Sequence, residues 1–316
     1  MEPPPSTDQP HIEEHLRHLV EQCWQTVRSA PPAGRQVTYI PALAQVPPDR
    51  LGIAVAGVDG SLVTAGDSRI PFSLQSISKL FALCEALSDG PDSLWARIDK
   101  EPSGDRFDSL MLLEHEAGRP RNPFINAGAL LVTDHLRAAR GDAAQVVLDL
   151  LQREAANPAI GIDDEVAASE RATSHRNAAL GHYMASCGTV GSDVPGLLDQ
   201  YTRMCAISAS CVDLARGALF LARAGEGTDG QPVLPVAQAR RVNALMLTCG
   251  LYDAAGDFAY RVGLPGKSGV GGGVLAVVPG HCVVAVWSPR LDARGNSVAG
   301  VRLLEELVRS TGWSVF

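Results

Sequence analysis

Lysine is scarce in this chain of 316 residues: of 27 cationic positions, 24 are arginine and three are Lys79, Lys100 and Lys267. Charged residues of both signs reach only 20%, and the net charge is −8. An acidic balance of this kind suits no phosphate-rich surface, so nucleic acid is not an expected partner. No segment approaches the roughly 20 apolar residues of a membrane span, and no membrane partner is expected either. The first ten residues, MEPPPSTDQP, lack both a basic region and an apolar run. No secretory signal is therefore read there, and a cytoplasmic location is expected. The seven cysteines are odd in number and form no C-x-x-C pair, which points to reduced, buried thiols and not to a disulfide framework.

Hydrophobic residues make up 46% of the chain, enough for one large domain or two lobes around a shared site. Residues 1–10 are Pro-rich and are predicted to form a disordered tail. Residues 11–316 are expected to form a single domain. Apolar spacing predicts helices at 11–29, 76–88, 126–139, 142–154, 176–187, 194–203, 210–223, 235–248 and 297–310. Apolar runs on either side of Asp59-Gly60 predict a hairpin. Phe258–Val262, Val274–Val278 and Cys282–Trp287 read as strands, with Pro279-Gly280 as a turn. Residues 89–125 are turn-rich. Strands thus lie toward both ends, at about 34–75 and 250–316, with a helical lobe at about 76–249. The expected class is α+β, with one antiparallel sheet flanked by helices.

Arginine cannot give up its proton in a protein, whereas lysine can when desolvated. Two of the three lysines sit in motifs where that matters. Ser76-Ile77-Ser78-Lys79 opens a helix and puts Ser and Lys one turn apart on the same face. A buried lysine there can accept the hydroxyl proton. The helix start adds free N–H groups and partial positive charge. Ser76 alone would also serve as a helix cap. Lys267-Ser268-Gly269 matches the third element of the serine β-lactamase and penicillin-binding protein pattern. In that pattern, strand N–H groups face an oxyanion, glycine allows close approach, and lysine supplies a fixed charge. Nucleotide readings of the same stretch fail. A phosphate loop needs glycine where Arg261 stands, and the third glycine of G-x-G-x-x-G falls on Val274.

Five stretches narrow the reading further. They are Gln75-Ser76-Ile77-Ser78-Lys79, Glu101-Pro102-Ser103-Gly104, Asn122-Pro123-Phe124-Ile125-Asn126-Ala127-Gly128-Ala129, Ser169-Glu170 with Arg176-Asn177-Ala178-Ala179-Leu180, and Gly250-Leu251-Tyr252-Asp253 running on to Gly263–Gly273. In this order, over about 70–275, they resemble the bacterial-type glutaminase family of the serine β-lactamase-like superfamily. The resemblance implies a β-lactamase/transpeptidase-like fold. It implies hydrolysis of the side-chain amide of L-glutamine to L-glutamate and ammonia, through a glutamyl-Ser76 acyl-enzyme, with no metal or organic cofactor. It also implies a homo-oligomer, dimer or tetramer.

Carried over to this chain, the resemblance implies Ser76 as nucleophile and Lys79 as base, with Tyr201 and Lys267 also catalytic. Substrate contacts would come from Ser76, Asn126, Glu170, Asn177, Tyr201, Tyr252 and the backbone of Val270. The chemistry agrees: a desolvated ammonium needs an acceptor such as Glu170. The substrate carboxylate needs donors such as Asn126, Asn177 or a tyrosine hydroxyl. The N–H groups of Ser76 and Val270 would form an oxyanion hole, and Tyr201 or Tyr252 would relay a proton to the departing ammonia. The chain departs from the family at Ala206, where serine is expected, and at Gly266, where alanine is frequent. Both bear on affinity and not on reaction class.

Two other functions share some of these features. A β-lactamase or D-Ala-D-Ala peptidase would use the Ser-Lys and Lys-Ser-Gly elements, but it meets its substrate outside the cytoplasm and lacks the Glu170/Asn177 pair. A silent amino-acid-binding module would bind without turnover. His11-Ile12-Glu13-Glu14-His15 has the H-x-x-E-H spacing of a zinc peptidase but falls on the edge of a helix expected to face solvent. Cys205, one helical turn from Tyr201, is expected to be a structural thiol.

Overall fold

The computed structural model describes residues 9–88 and 90–316, with side chains from Glu13 onward except that of Pro91. The expected tail, up to residue 8, and the His11 side chain lie outside the described residues. The first helix runs Gln9–Arg28, and His15 and His18 are exposed on it.

Among the described residues, eight strands form two sheets. The larger has the order β2-β1-β8-β7-β6 and is antiparallel throughout. Its members are β1 (Gly52–Gly57), β2 (Leu62–Gly66), β6 (Gly266–Ser268), β7 (Gly273–Val278) and β8 (Cys282–Trp287). β1 lies between β2 and β8, with Ala54 opposite both Thr64 and Ala285. Every residue of β1, β7 and β8 is buried, so both faces of the sheet are covered. Alternation assigns the faces. Val274, Val284 and Val286 pack with Val20, Leu303 and Leu304 of the two terminal helices. Leu275, Val283 and Ala285 pack toward the helical lobe with Leu80, Leu151 and Leu214. Val284→Ala should cost about 2 kcal/mol in chemical denaturation, because this close-packed strand has no room to collapse around the lost methyls.

The smaller sheet orders β3 (Phe72–Ser73), β5 (Ile207–Ala209) and β4 (Gly161–Ile162) as β3-β5-β4. These strands are too short for periodicity to reveal. Phe72 stacks on Trp287 at 5.0 Å, which ties the small sheet to β8.

The structure corrects one expected strand. Residues around Phe258–Val262 form the helix Ala255–Arg261. Phe258 and Val262 are one helical turn apart and both buried, while Tyr260 is 91% exposed. Arg261 pairs with Asp257 one turn back and with Glu305. Five residues hold too few periods to separate helix from strand. The helix expected at 210–223 divides at Ala218 into Cys211–Gly217 and Leu219–Ala222. A further helix, Asp164–Thr173, is capped by the Asp163 side chain and carries Glu170.

Candidate active site

The chain reaches Ser76 through a sharp strand-to-helix turn. Leu74 N–H extends the β3–β5 pairing by bonding Ile207 O at 2.9 Å. Gln75 then takes a left-handed conformation, φ 51°, which costs a non-glycine residue about 1 kcal/mol or more. A single 3-10 turn, Gln75–Ile77, leads into the helix Ser78–Ser88. Two bonds hold the turn: Ser78 Oγ donates to Gln75 O at 2.7 Å, and Gln75 Nε2 donates to Ser73 Oγ at 3.0 Å. Ile77, Leu80 and Phe81 anchor it in the core. The loop after β6 runs against this turn. A Cβ at Gly271 would stand 2.1 Å from Ser73 O, so only glycine allows Val270 to come so near Ser76.

Ser76 opens onto a cavity of about 320 Å³. Asn126, Glu170, Asn177, Tyr201, Cys205 and Val270 share its wall. Four helices supply all of these groups but Val270, which comes from the loop after β6: Asn126–Arg140, Asp164–Thr173, His175–Ser186 and Val194–Cys205. Asn126 is the hub. Its Oδ1 accepts from Lys79 Nζ at 2.6 Å and, at the long distance of 3.5 Å, from Tyr201 Oη. Its Nδ2 donates to Asn177 Oδ1 at 2.8 Å. Asn122 braces the loop before it, accepting from the N–H groups of Phe124 and Ile125 and donating to Glu101 O. Glu101 and Asn122 thus shape the wall without lining the cavity themselves.

Glu170 is buried, and its Oε2 accepts from Gln75 Nε2 at 3.0 Å. Burial pushes its carboxyl up to about 7, against the opposing pull of Gln75 and of Lys79. Lys79 is buried too, and desolvation brings its amine down to about 8, with Cys205, Glu170 and Asp108 acting the other way. An acid on the cavity wall and a base bonded to Asn126 of that wall, both so perturbed, are a mark of functional sites. Burial raises the Tyr201 hydroxyl and the Cys205 thiol well above their ordinary values, so neither ionises near neutrality.

Tyr252 stands behind this wall, its ring against Phe107 at 4.7 Å. Among the described residues its buried hydroxyl has no hydrogen-bond partner, with Ser76 and Ser268 beside it outside the geometry of a formed bond. Among the described residues, neither the Ser76 nor the Val270 N–H has a partner in the chain. Their neighbours Ile77 and Gly269 donate to Leu74 O and Gly273 O. Lys267, on β6, is fully buried and is not part of the cavity wall. The lysine expected to supply a fixed positive charge has its Nζ within bonding distance of two backbone carbonyls. Among the described residues, no three His, Cys, Asp or Glu side chains converge as a metal site would require.

The cavity mouth adds residues that sequence reasoning missed. Tyr39, 57% exposed, and Ile40 come from the loop after the first helix, and Arg106, Phe107 and Asp108 from the turn-rich stretch. Asp108 accepts from Arg106 and Arg176, at 3.2 and 2.9 Å. No periodicity marks these loop residues. Arg106 and Asp108 as a local charge pair were the only hint.

A Ser-x-x-Lys helix start set beside an edge strand of a helix-covered antiparallel sheet defines an α+β fold of the serine β-lactamase-like type. The glutaminase family profile matches residues 34–316, and the chain belongs to the glutaminase family. It is 55% identical to a glutaminase of Streptomyces coelicolor over 301 residues, 95% of this chain and 98% of that one. A glutaminase of Aeromonas salmonicida is 53% identical over 285 residues, 90% of this chain and 93% of the other. Among solved structures, the probable glutaminase ybaS superposes with a TM-score of 0.91 at 38% identity, over 96% of this chain and 98% of that one. A probable glutaminase from Bacillus subtilis, complexed with 6-diazo-5-oxo-L-norleucine, gives 0.82 at 32% identity, over 100% and 99%.

Proposed function

We propose that this chain hydrolyses the side-chain amide of L-glutamine to L-glutamate and ammonia through a glutamyl ester on Ser76. The observation that carries this reading is the convergence on one cavity of a helix-start serine, an acceptor for an ammonium, and amide donors for a carboxylate. Glu170 takes the substrate ammonium, and Asn126 and Asn177 take its carboxylate with Tyr201 beside them. The neutral Lys79 amine removes the Ser76 proton, and Oγ attacks the amide carbon. The Ser76 and Val270 N–H groups hold the resulting oxyanion. The intermediate collapses as ammonia departs with a proton, and water then cleaves the ester by the reverse route. Between the two candidate relays, the unpartnered Tyr252 hydroxyl beside Ser76 favours Tyr252 over Tyr201, whose hydroxyl faces Asn126. As part of the same reading, residues 11–316 form one catalytic domain, and the enzyme is a cytoplasmic homodimer or homotetramer. Sedimentation velocity tests the oligomeric state. Among the described residues, no helix is long and apolar enough to cross a membrane.

The test is ammonia release from L-glutamine beside L-asparagine and a β-lactam. Turnover of glutamine supports the reading, and acylation by the β-lactam alone would replace it. Glutamate binding without any turnover would leave a silent binder. Glu170→Gln should raise KM about 100-fold, because the buried ammonium loses its charged acceptor, while kcat changes less than about tenfold. In wild type, kcat/KM should climb with pH through about 7, as Glu170 ionises, and again through about 8, as Lys79 loses its proton. Glu170→Gln should abolish the lower step alone. Survival of both steps in that variant would sink the assignment of Glu170.

A further inference from the structure

We propose that Lys267 is a positioning residue that acts through Tyr252, holding its phenol at Ser76, and makes no contact with the substrate. The proposal rests on the glutaminase reading above and deepens it. Lys267 Nζ donates to Gly250 O at 3.0 Å and to Ser268 O at 2.6 Å, and among the described residues it has no carboxylate partner. Two carbonyls match the two N–H groups of a neutral amine. Burial, and then the charge of Lys79, drive its pKa well below the usual lysine value. A lysine that recognises substrate charge would instead face the cavity and keep its proton.

What the amine does face is tyrosine. It lies 4.9 Å from the centre of the Tyr252 ring and 5.6 Å from that of Phe124. Phe107 also packs against the Tyr252 ring, tilted at 40°. Lys267 also fastens the segment that carries this ring. Gly250 O accepts from Lys267 Nζ and from Ser268 N–H, the latter at 3.2 Å. A Cβ at Gly250 would stand only 1.7 Å from Gly266 O, so this segment lies directly on β6. Two residues later Tyr252 adopts φ 55°, a conformation that persists only where its surroundings enforce it. The clamp at Gly250 and the ring contacts together do so. The unpartnered Tyr252 hydroxyl is thereby held beside Ser76 with no bond to break before it serves the reaction.

The experiment is a cycle of Lys267→Met, Tyr252→Phe and the double variant, with kcat and KM measured on L-glutamine and folding checked by circular dichroism. Each single variant should lower kcat about 100-fold and leave KM within about threefold. The double variant should fall no more than about threefold below Tyr252→Phe, because both changes remove the same contribution. Multiplied effects would overturn the proposal, since they mean an independent or merely structural role. So would a tenfold rise in KM for Lys267→Met with kcat kept, the mark of a substrate contact, or full kcat in Tyr252→Phe. If Lys267→Met does not fold, Lys267→Gln keeps an N–H for Gly250 O and must show the same coupling. A wild type that releases no ammonia from glutamine would overturn the glutaminase reading and this proposal together. An active wild type with multiplied effects overturns the proposal alone.

Discussion

Ser76→Ala should lose ammonia release from L-glutamine by roughly 10,000-fold or more, while glutamate still binds within about threefold of wild type by calorimetry. The two expectations separate chemistry from recognition. The acceptor and donors assigned to the substrate, Glu170, Asn126 and Asn177, sit on helices that do not include Ser76. Their mutual bonds, Asn126 to Asn177 and Gln75 to Glu170, involve no Ser76 hydroxyl. Removing one oxygen therefore leaves the recognition wall in place and takes away the hydroxyl proposed to form the ester. A residual rate from water and the oxyanion hole is expected, since such sites retain catalysis over solution when the nucleophile is gone. Wild-type rates in the variant would mean direct attack by water, with Ser76 reduced to a cap.

Lys79→Met should lower kcat/KM by about 1,000-fold without lowering the thermal midpoint. The lysine is buried and its amine is brought from 10.5 down to about 8. The unfolded chain therefore binds a proton more readily than the folded one. The resulting penalty is absent above pH 10.5, grows as pH falls toward 8, and is complete below that, at roughly 3 kcal/mol. Methionine has no such penalty and fills similar space. Against this gain stands the loss of the Lys79 bonds to Asn126 Oδ1 and Phe124 O, which leaves buried acceptors short of a donor. The two nearly offset. A variant that melts well below wild type at pH 7, but not at pH 10, would contradict this account. Stability held in reserve for a function is commonly recovered when the functional group is removed.

Glu170 adds a second strain of the same kind with the opposite sign. Its carboxyl is raised from 4.5 to about 7, so the folded state binds the proton more tightly. The stability it contributes is complete below pH 4.5 and disappears as pH rises to 7. Near pH 7 Glu170 is thus about half ionised, and an amino-acid ammonium beside it would favour the carboxylate.

Much of this was legible in the amino-acid sequence, and what was not has physical causes. β8 and the helix at 126–140 are long enough for their apolar spacing to show, and the Asp59-Gly60 turn announces β1 and β2. The Lys-Ser-Gly motif does mark an edge strand, β6. Its lysine, however, turns inward onto two carbonyls, a direction that a three-residue motif does not encode. Phe258–Val262 misled because one helical turn and one short strand bury the same kind of residues. β3, β4 and β5 were invisible because two or three residues carry no period, yet they set the turn that presents Ser76. Tyr39 and Arg106 reach the cavity mouth from loops, where tertiary packing alone decides what faces inward.

The pairing of β1 with β8 joins Ala54 to Ala285. More than two-thirds of the chain lies between these partners. During synthesis the β1–β2 hairpin is made well before its partner and must wait, with an unpaired apolar edge, until β8 leaves the ribosome. The helical lobe can condense in the meantime through its local contacts, but the platform beneath it cannot. Assembly of the sheet is then a late, slow event, set by closure of a very long loop. The waiting edge is where a stalled chain would meet another like it. A ribosome paused before β8 would leave the strand that leads into the Ser76 turn without the Phe72–Trp287 stack, so the site could not be set before β8 is made.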